Sequence, residues 1–191
     1  MGIPVAALML AAALWFAAGA AHARSEAPSG YTDTLRWYHE QARAGNPTAQ
    51  FLLAIKYETG TDVPRDLARA ADLYEKAARQ GHADAQFKIA TFLETGSGVA
   101  RDDDAARTWY RAAALNGHAP AQFNLGSMLL RHAVDSDARA EGLSWLLRSA
   151  DGGLAPARTL SERWIAVLPE QTVVQARELA VIPLTDASSQ R

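Results

Sequence analysis

Three stretches of this chain are near copies of one another. They read AGNPTAQFLLA from residue 44, QGHADAQFKIA from 80 and NGHAPAQFNLG from 116. The step between them is 36 residues, and other positions keep it. Gly45, Gly81, Gly117 and Gly153 share it, as do Gln50, Gln86 and Gln122, with Arg158 next in the series. So do Trp37-Tyr38, Leu73-Tyr74, Trp109-Tyr110 and Trp145-Leu146. A fixed period of this size is the mark of a repeat architecture, in which one small unit stacks on the next.

Each unit parses into two helices. In the first unit Asn46 suits an N-cap and Pro47 the first helical position. Gly60 then fits the left-handed residue that ends a helix near Thr59. A short loop follows, with Val63 placed to seal the turn. Asp66 caps a second helix that Gly81 stops. The second unit repeats this with Gly96, Val99, Asp102 and Gly117. In the third, His132 replaces the loop glycine, and Val134 and Asp137 sit one residue early, so that turn is expected to differ in shape.

Helical periodicity puts Ala49, Leu53 and Tyr57 on one face of the first helix, and Leu67, Ala70, Tyr74 and Ala77 on one face of the second. These faces are expected to pack together, aromatic rings filling space left by alanines. One such pair buries too little surface to stand alone, so the unit must recur. β-branched runs of period two are scarce, which argues against a sheet. The expected fold is all-α.

The spaced residues Ala85-Gln86, Ile89, Leu93, Gly96, Asp102, Trp109-Tyr110, Ala112-Ala113 and Gly117 resemble the Sel1-like repeat, a relative of the tetratricopeptide repeat. The resemblance covers about residues 32 to 168. It implies a right-handed α-solenoid of stacked helix pairs, with repeats at about 47–82, 83–118 and 119–154. Segments 32–46 and 155–182 then act as caps, and Arg158, Ser161, Glu162 and Arg163 put polar side chains where a further unit would have core. The termini differ from the repeats in composition. Residues 1–23 carry no Lys, Arg, Asp or Glu, and an apolar run from Val5 to Ala18 precedes Ala21-His22-Ala23. This is the pattern of a secretory signal peptide cleaved after Ala23; the alternative is an uncleaved membrane anchor. Residues 24–31 and 183–191 are expected to be a mobile linker and tail.

Composition narrows the function. Nineteen Lys+Arg balance 21 Asp+Glu for a net charge of -2, which does not favour nucleic acid. There is no cysteine, so thiolate metal sites, disulfides and thiol nucleophiles are excluded. No serine has a lysine three residues on, and there is no His-Glu-x-x-His and no phosphate-binding glycine loop. His82 and His118 hold equivalent places in successive units. Such places lie about 10 Å apart or more, too far to share one ion, so both are read as polar residues at helix starts. Asp102-Asp103-Asp104 reads as a helix cap and dipole partner. We therefore expect no cofactor, no metal and no catalytic residues.

A second stripe runs along the first helices, opposite the core face. It holds Thr48, Phe51, Ile55 and Glu58, then Asp84, Phe87, Thr91 and Glu94, then Pro120, Phe123, Ser127 and Leu130. By resemblance to tetratricopeptide arrays, first helices line a concave groove. Phe51, Phe87 and Phe123 would form an apolar ladder there, with Glu58 and Glu94 orienting a bound peptide or partner domain. The other reading is that each phenylalanine packs against the neighbouring repeat. By resemblance to short bacterial Sel1-like proteins, the expected function is that of an exported, periplasmic adaptor that binds proteins, regulating an envelope sensor or assembling an envelope or polysaccharide-export complex. The alternatives are a cell-wall-acting enzyme and a chaperone-like accessory without a fixed partner.

Overall fold

The computed structural model describes residues 33–184; the expected signal peptide at 1–23, the whole of the expected linker at 24–31 and the last seven residues lie outside them. Nine helices form the described part: α1 (Asp33–Arg43), α2 (Pro47–Thr59), α3 (Leu67–Arg79), α4 (Ala83–Thr95), α5 (Asp103–Leu115), α6 (Ala119–His132), α7 (Ser136–Asp151), α8 (Ala155–Val167) and α9 (Glu170–Val181). There is no strand among the described residues. The described residues from Trp37 onward form one compact unit. Within it α2 packs on α3, α4 on α5 and α6 on α7, and each second helix packs on the next first helix.

The helix boundaries follow from local chemistry. Asn46, Asp66 and Asp102 each accept a hydrogen bond from the backbone N–H three residues on, as do His82 and His118 through Nδ1. These bonds satisfy amides that a helix start leaves orphaned. Gly45, Gly81, Gly117 and Gly153 all sit at φ between 78° and 90°. A Cβ at any of them would meet nothing within 4 Å. The left-handed backbone itself, not crowding, is what requires glycine there.

The expected core faces are buried except at Leu67, which opens its helix and is half-buried. Ala49, Leu53 and Tyr57 on α2 are at most 5% exposed, and Ala70, Tyr74 and Ala77 on α3 are fully enclosed. The Tyr74 ring meets Phe51 of its own repeat at 5.7 Å and Phe92 of the next at 5.4 Å, so one aromatic joins two units.

The repeating glutamine has a role that periodicity alone does not reveal. Gln50, Gln86 and Gln122 are buried. Their amides donate to the carbonyls of Ala42, Ala78 and Ala114, in the last turn of the preceding second helix, at 3.1, 3.2 and 3.1 Å. The Gln50 and Gln86 oxygens accept from Gln80 and Asn116 of their own repeats at 2.8 and 3.0 Å. Gln50 and Gln86 are thus satisfied on both sides, and all three amides fix one repeat on the previous one.

The third repeat departs from this plan. Without a glycine at 132, α6 continues to His132 and the chain leaves it extended, so only residues 133–135 separate α6 from α7. Val134 therefore cannot fold back as the buried Val63 does, and it is 88% exposed. Asp135, not Asp137, is the N-cap, accepting from the Ala138 amide at 2.8 Å. The helices lengthen to 14 and 16 residues, and the period is kept. They also approach more closely, because Gly126 and Gly142 stand where earlier repeats have alanine. A Cβ on Gly126 would lie 2.7 Å from the Gly142 carbonyl oxygen.

The C-terminal end closes across α7. Only Leu168 and Pro169 separate α8 from α9, which packs on α7 through Val173, Ala176 and Leu179 against Ala140 and Leu143. Arg148 ties that end down, donating to the carbonyls of Leu179 and Ile182 at 2.5 and 2.6 Å. Leu184, expected to lie in the tail, packs against the central core. Ser161, expected on a polar outer face, is buried at a core position and donates to the Arg158 carbonyl at 2.9 Å.

Two outcomes are expected in thermal or denaturant melts. Gln86→Leu keeps the volume but removes the inter-repeat amide, and should cost about 1–2 kcal/mol. Gly126→Ala, although it improves helix propensity by about 1 kcal/mol, should destabilise the protein, since overpacking against backbone costs about 1–3 kcal/mol.

Candidate functional site

The first helices α2, α4 and α6 present the stripe read from the sequence, and the structure divides its residues into two groups. Phe51 and Phe87 are half-buried stacking contacts. Phe51 lies on the N-cap ring of the next repeat, His82, with centroids 4.6 Å apart, and Phe87 lies on His118 at 4.8 Å. His118 is fixed by this arrangement. Its Nδ1 accepts from the Ala121 amide at 3.2 Å, so in the neutral ring Nε2 carries the proton and faces Asp84 at 3.2 Å. Among the described residues no group of His, Asp and Glu converges to hold a metal ion.

At the third repeat the next N-cap is Leu154, which makes no capping bond and offers no ring to stack on. Phe123 instead lines a cleft of about 450 Å³ with Glu94, Asn124, Ser127, Arg131, Leu160 and Trp164. Of the twelve residues read on the stripe, the structure brings Glu94, Phe123 and Ser127 together here. Phe51, Ile55, Glu58, Phe87 and Thr91 do not line it.

Both glutamates are held by neighbours. Glu58 accepts from the Tyr74 hydroxyl, and Lys88 of the next repeat lies 3.0 Å from it. Glu94 accepts from the Tyr110 hydroxyl at 2.7 Å, and Arg131 of the next repeat lies at 3.3 Å. Burial foremost, and the adjoining Glu94 carboxylate with it, push the Tyr110 hydroxyl up to about 12, against Thr91 and Asn124, whose hydrogen bonds lower it. Tyr74 is shifted further the same way, by burial and then Glu58. Both tyrosines therefore stay protonated donors. The third repeat exchanges this polar pair for an apolar one, Leu130 and Leu146, both buried.

The cleft has apolar walls of Phe123, Leu160 and Trp164, with the Glu94–Arg131 pair at its edge. The Ser127 hydroxyl is buried there without a hydrogen-bond partner. A second cleft, of about 270 Å³, continues past Glu94 and Arg131 to Arg101, Asp103, Met128 and His132. Sequence reasoning did not single out Asn124, Arg131, Leu160 or Trp164. Arg131 lies one turn beyond Ser127, and extending the stripe would have reached it. Leu160 and Trp164 lie on α8, where only the stacking of helices brings them beside Phe123.

The comparisons with known proteins accord with this architecture. The Sel1 repeat family model matches residues 47–82, 83–118 and 119–154. Among solved structures, a Sel1 repeat protein from Oxalobacter formigenes is 29% identical with a TM-score of 0.62, over 70% of this chain and 57% of that one. A protective antigen of uropathogenic Escherichia coli that displays an SLR fold is 28% identical with a TM-score of 0.63, over 81% of this chain and 33% of that one. The chain thus spans less than two thirds of either protein. No curated protein matches it. Sel1 repeat proteins generally mediate protein–protein interactions on a scaffold that is typically non-catalytic. With three consecutive matched repeats built as stacked helix pairs, this chain belongs to the Sel1 repeat family.

Proposed function

We propose that the chain is a non-catalytic adaptor that acts outside the cytoplasm and holds an extended peptide or partner domain on its first-helix face, with the α4–α6–α8 cleft as the anchor point. The cleft carries this reading. It combines an apolar trough large enough for a side chain with polar groups at its edge that can orient a main chain, the composition of a recognition pocket. The state of the acids supports a binding role over catalysis, because Glu58 and Glu94 are each engaged by a tyrosine hydroxyl and a cation. The export reading rests on the apolar Val5–Ala18 segment and the Ala21-His22-Ala23 pattern, which lie outside the described residues. Among the described residues no helix is long and apolar enough to cross a membrane. Control of an envelope sensor or assembly of an envelope or polysaccharide-export complex are the roles proposed for such an adaptor.

Capture from envelope extracts tests this. The protein should retain one stoichiometric partner, and Phe123→Glu and Trp164→Glu should each weaken that complex about thirtyfold, as loss of an interface anchor of about 2 kcal/mol does, with the helical circular-dichroism spectrum intact. Many substoichiometric clients, or a partner indifferent to both variants, would overturn it.

Phe87→Ala should act on stability instead. It removes a stacking contact and should cost about 2 kcal/mol, roughly half the loss of a fully buried phenylalanine, whereas Phe123→Ala should melt close to the parent protein. Thermal denaturation of the two variants side by side distinguishes the roles.

A further inference from the structure

One register position of the second helices breaks its own pattern. It is tryptophan at 37, 109 and 145 but leucine at 73. Trp145 is 7% exposed and belongs to the central core cluster, and Trp109 packs against that cluster. Beside Leu73 the structure has a cleft of about 320 Å³. Its floor is Ala42, Leu53, Tyr57 and Leu73, and its rim is His39, Arg43, Arg69, Asp72 and Lys76. It lies among α1, α2 and α3, on the second-helix side, and shares no residue with the α4–α6–α8 cleft.

The third repeat shows what an indole does at this position. Arg148 lies over the Trp145 ring, 5.5 Å from its centroid. Lys76 occupies the same register as Arg148, so a ring seated on Leu73 would have a cation at its side. The rim is also biased in charge. Three permanent cations and a histidine line the cleft with a single carboxylate. Asp66 pairs with Arg69 at 3.1 Å and Asp72 with Lys76 at 2.6 Å. The Arg69 guanidinium also lies 5.5 Å from the Tyr57 ring centroid, which presents it at the edge of the floor. Burial first, and then the charges of Arg43 and Arg69, hold His39 below the usual histidine range.

We propose that this cleft is a second docking site, which takes an aromatic side chain flanked by carboxylates from a partner protein. The aromatic ring fills the space that tryptophan fills in the later repeats, and the flanking carboxylates meet the Arg43, Arg69 and Lys76 rim. Complementary charge of this kind chooses between partners of equal apolar content.

The test uses fluorescent peptides whose cores are EWE, KWK and EAE, capped at both ends, titrated into the protein and followed by anisotropy. EWE should bind at least about tenfold more tightly than either control. Leu73→Trp should fill the cleft from within, melt at or above the parent temperature, and lose EWE. Arg43→Gln should weaken EWE about tenfold, the effect of removing one charge partner, while Phe123→Glu should leave it unchanged. That last result separates this site from the first-helix face, so either can fail without the other. The proposal is overturned if EWE shows no preference over KWK and EAE, or if Leu73→Trp unfolds or still binds it. It is overturned equally if Arg43→Gln has no effect, or if Phe123→Glu abolishes binding.

Discussion

The register between successive helix pairs depends on a buried amide. The surfaces that meet between repeats are rich in alanine, and apolar contact has no direction, so small side chains alone would permit one pair to slide or rotate on the next. Gln50, Gln86 and Gln122 remove that freedom. Each donates to one carbonyl in the last turn of the preceding second helix. A shifted register would leave a buried donor and acceptor unpaired, at a cost far above that of losing an apolar contact. The tyrosines add a second tie, since Tyr74 touches rings of two repeats and binds Glu58, which also meets Lys88 of the next unit.

The third repeat is modified as an end rather than a middle. Tyrosine and glutamate give way to Leu146 and Leu130, the paired alanines to Gly126 and Gly142, and the inter-helix loop shortens. All three changes bring α6 and α7 closer, and they suit a unit with no full repeat after it. The amide network changes too. Gly152 stands where Gln80 and Asn116 serve the earlier repeats, and Ser149 supplies a bond within the third repeat instead, donating to the Ala119 carbonyl at 2.7 Å. With α9 laid across α7 rather than paired with α8, one side of α8 is left to border the cleft at Phe123.

The α4–α6–α8 cleft and the cleft beside Leu73 arise by the same route. Each lies where a repeated position breaks its rule. Phe123 lacks the histidine on which Phe51 and Phe87 stack, and Leu73 lacks the indole of Trp109 and Trp145. In a stacked array the periodic residues are occupied in holding the array together. Surface available for partners is therefore concentrated at departures from the period.

The period, the helix pairs and the core faces were legible in the sequence because they are local or repeated. Asn46, Asp66 and Asp102 cap helices by reaching three residues along the chain, and Tyr57 and Tyr74 fall on their core faces by helical spacing alone. His82 and His118 were legible as helix-start residues for the same reason. Which phenylalanine stacks and which lines a cleft was not, because Phe51, Phe87 and Phe123 have nearly identical neighbours in sequence and differ only in what the next repeat places against them. Nor was the partnership of Glu94 with Arg131, or of Phe123 with Trp164, since those residues are distant along the chain and meet only when three first helices stand side by side. The sequence by itself determined a Sel1 solenoid. The tertiary structure decided where its surface stays open, because an opening is a property of the space between repeats and no single repeat encodes it.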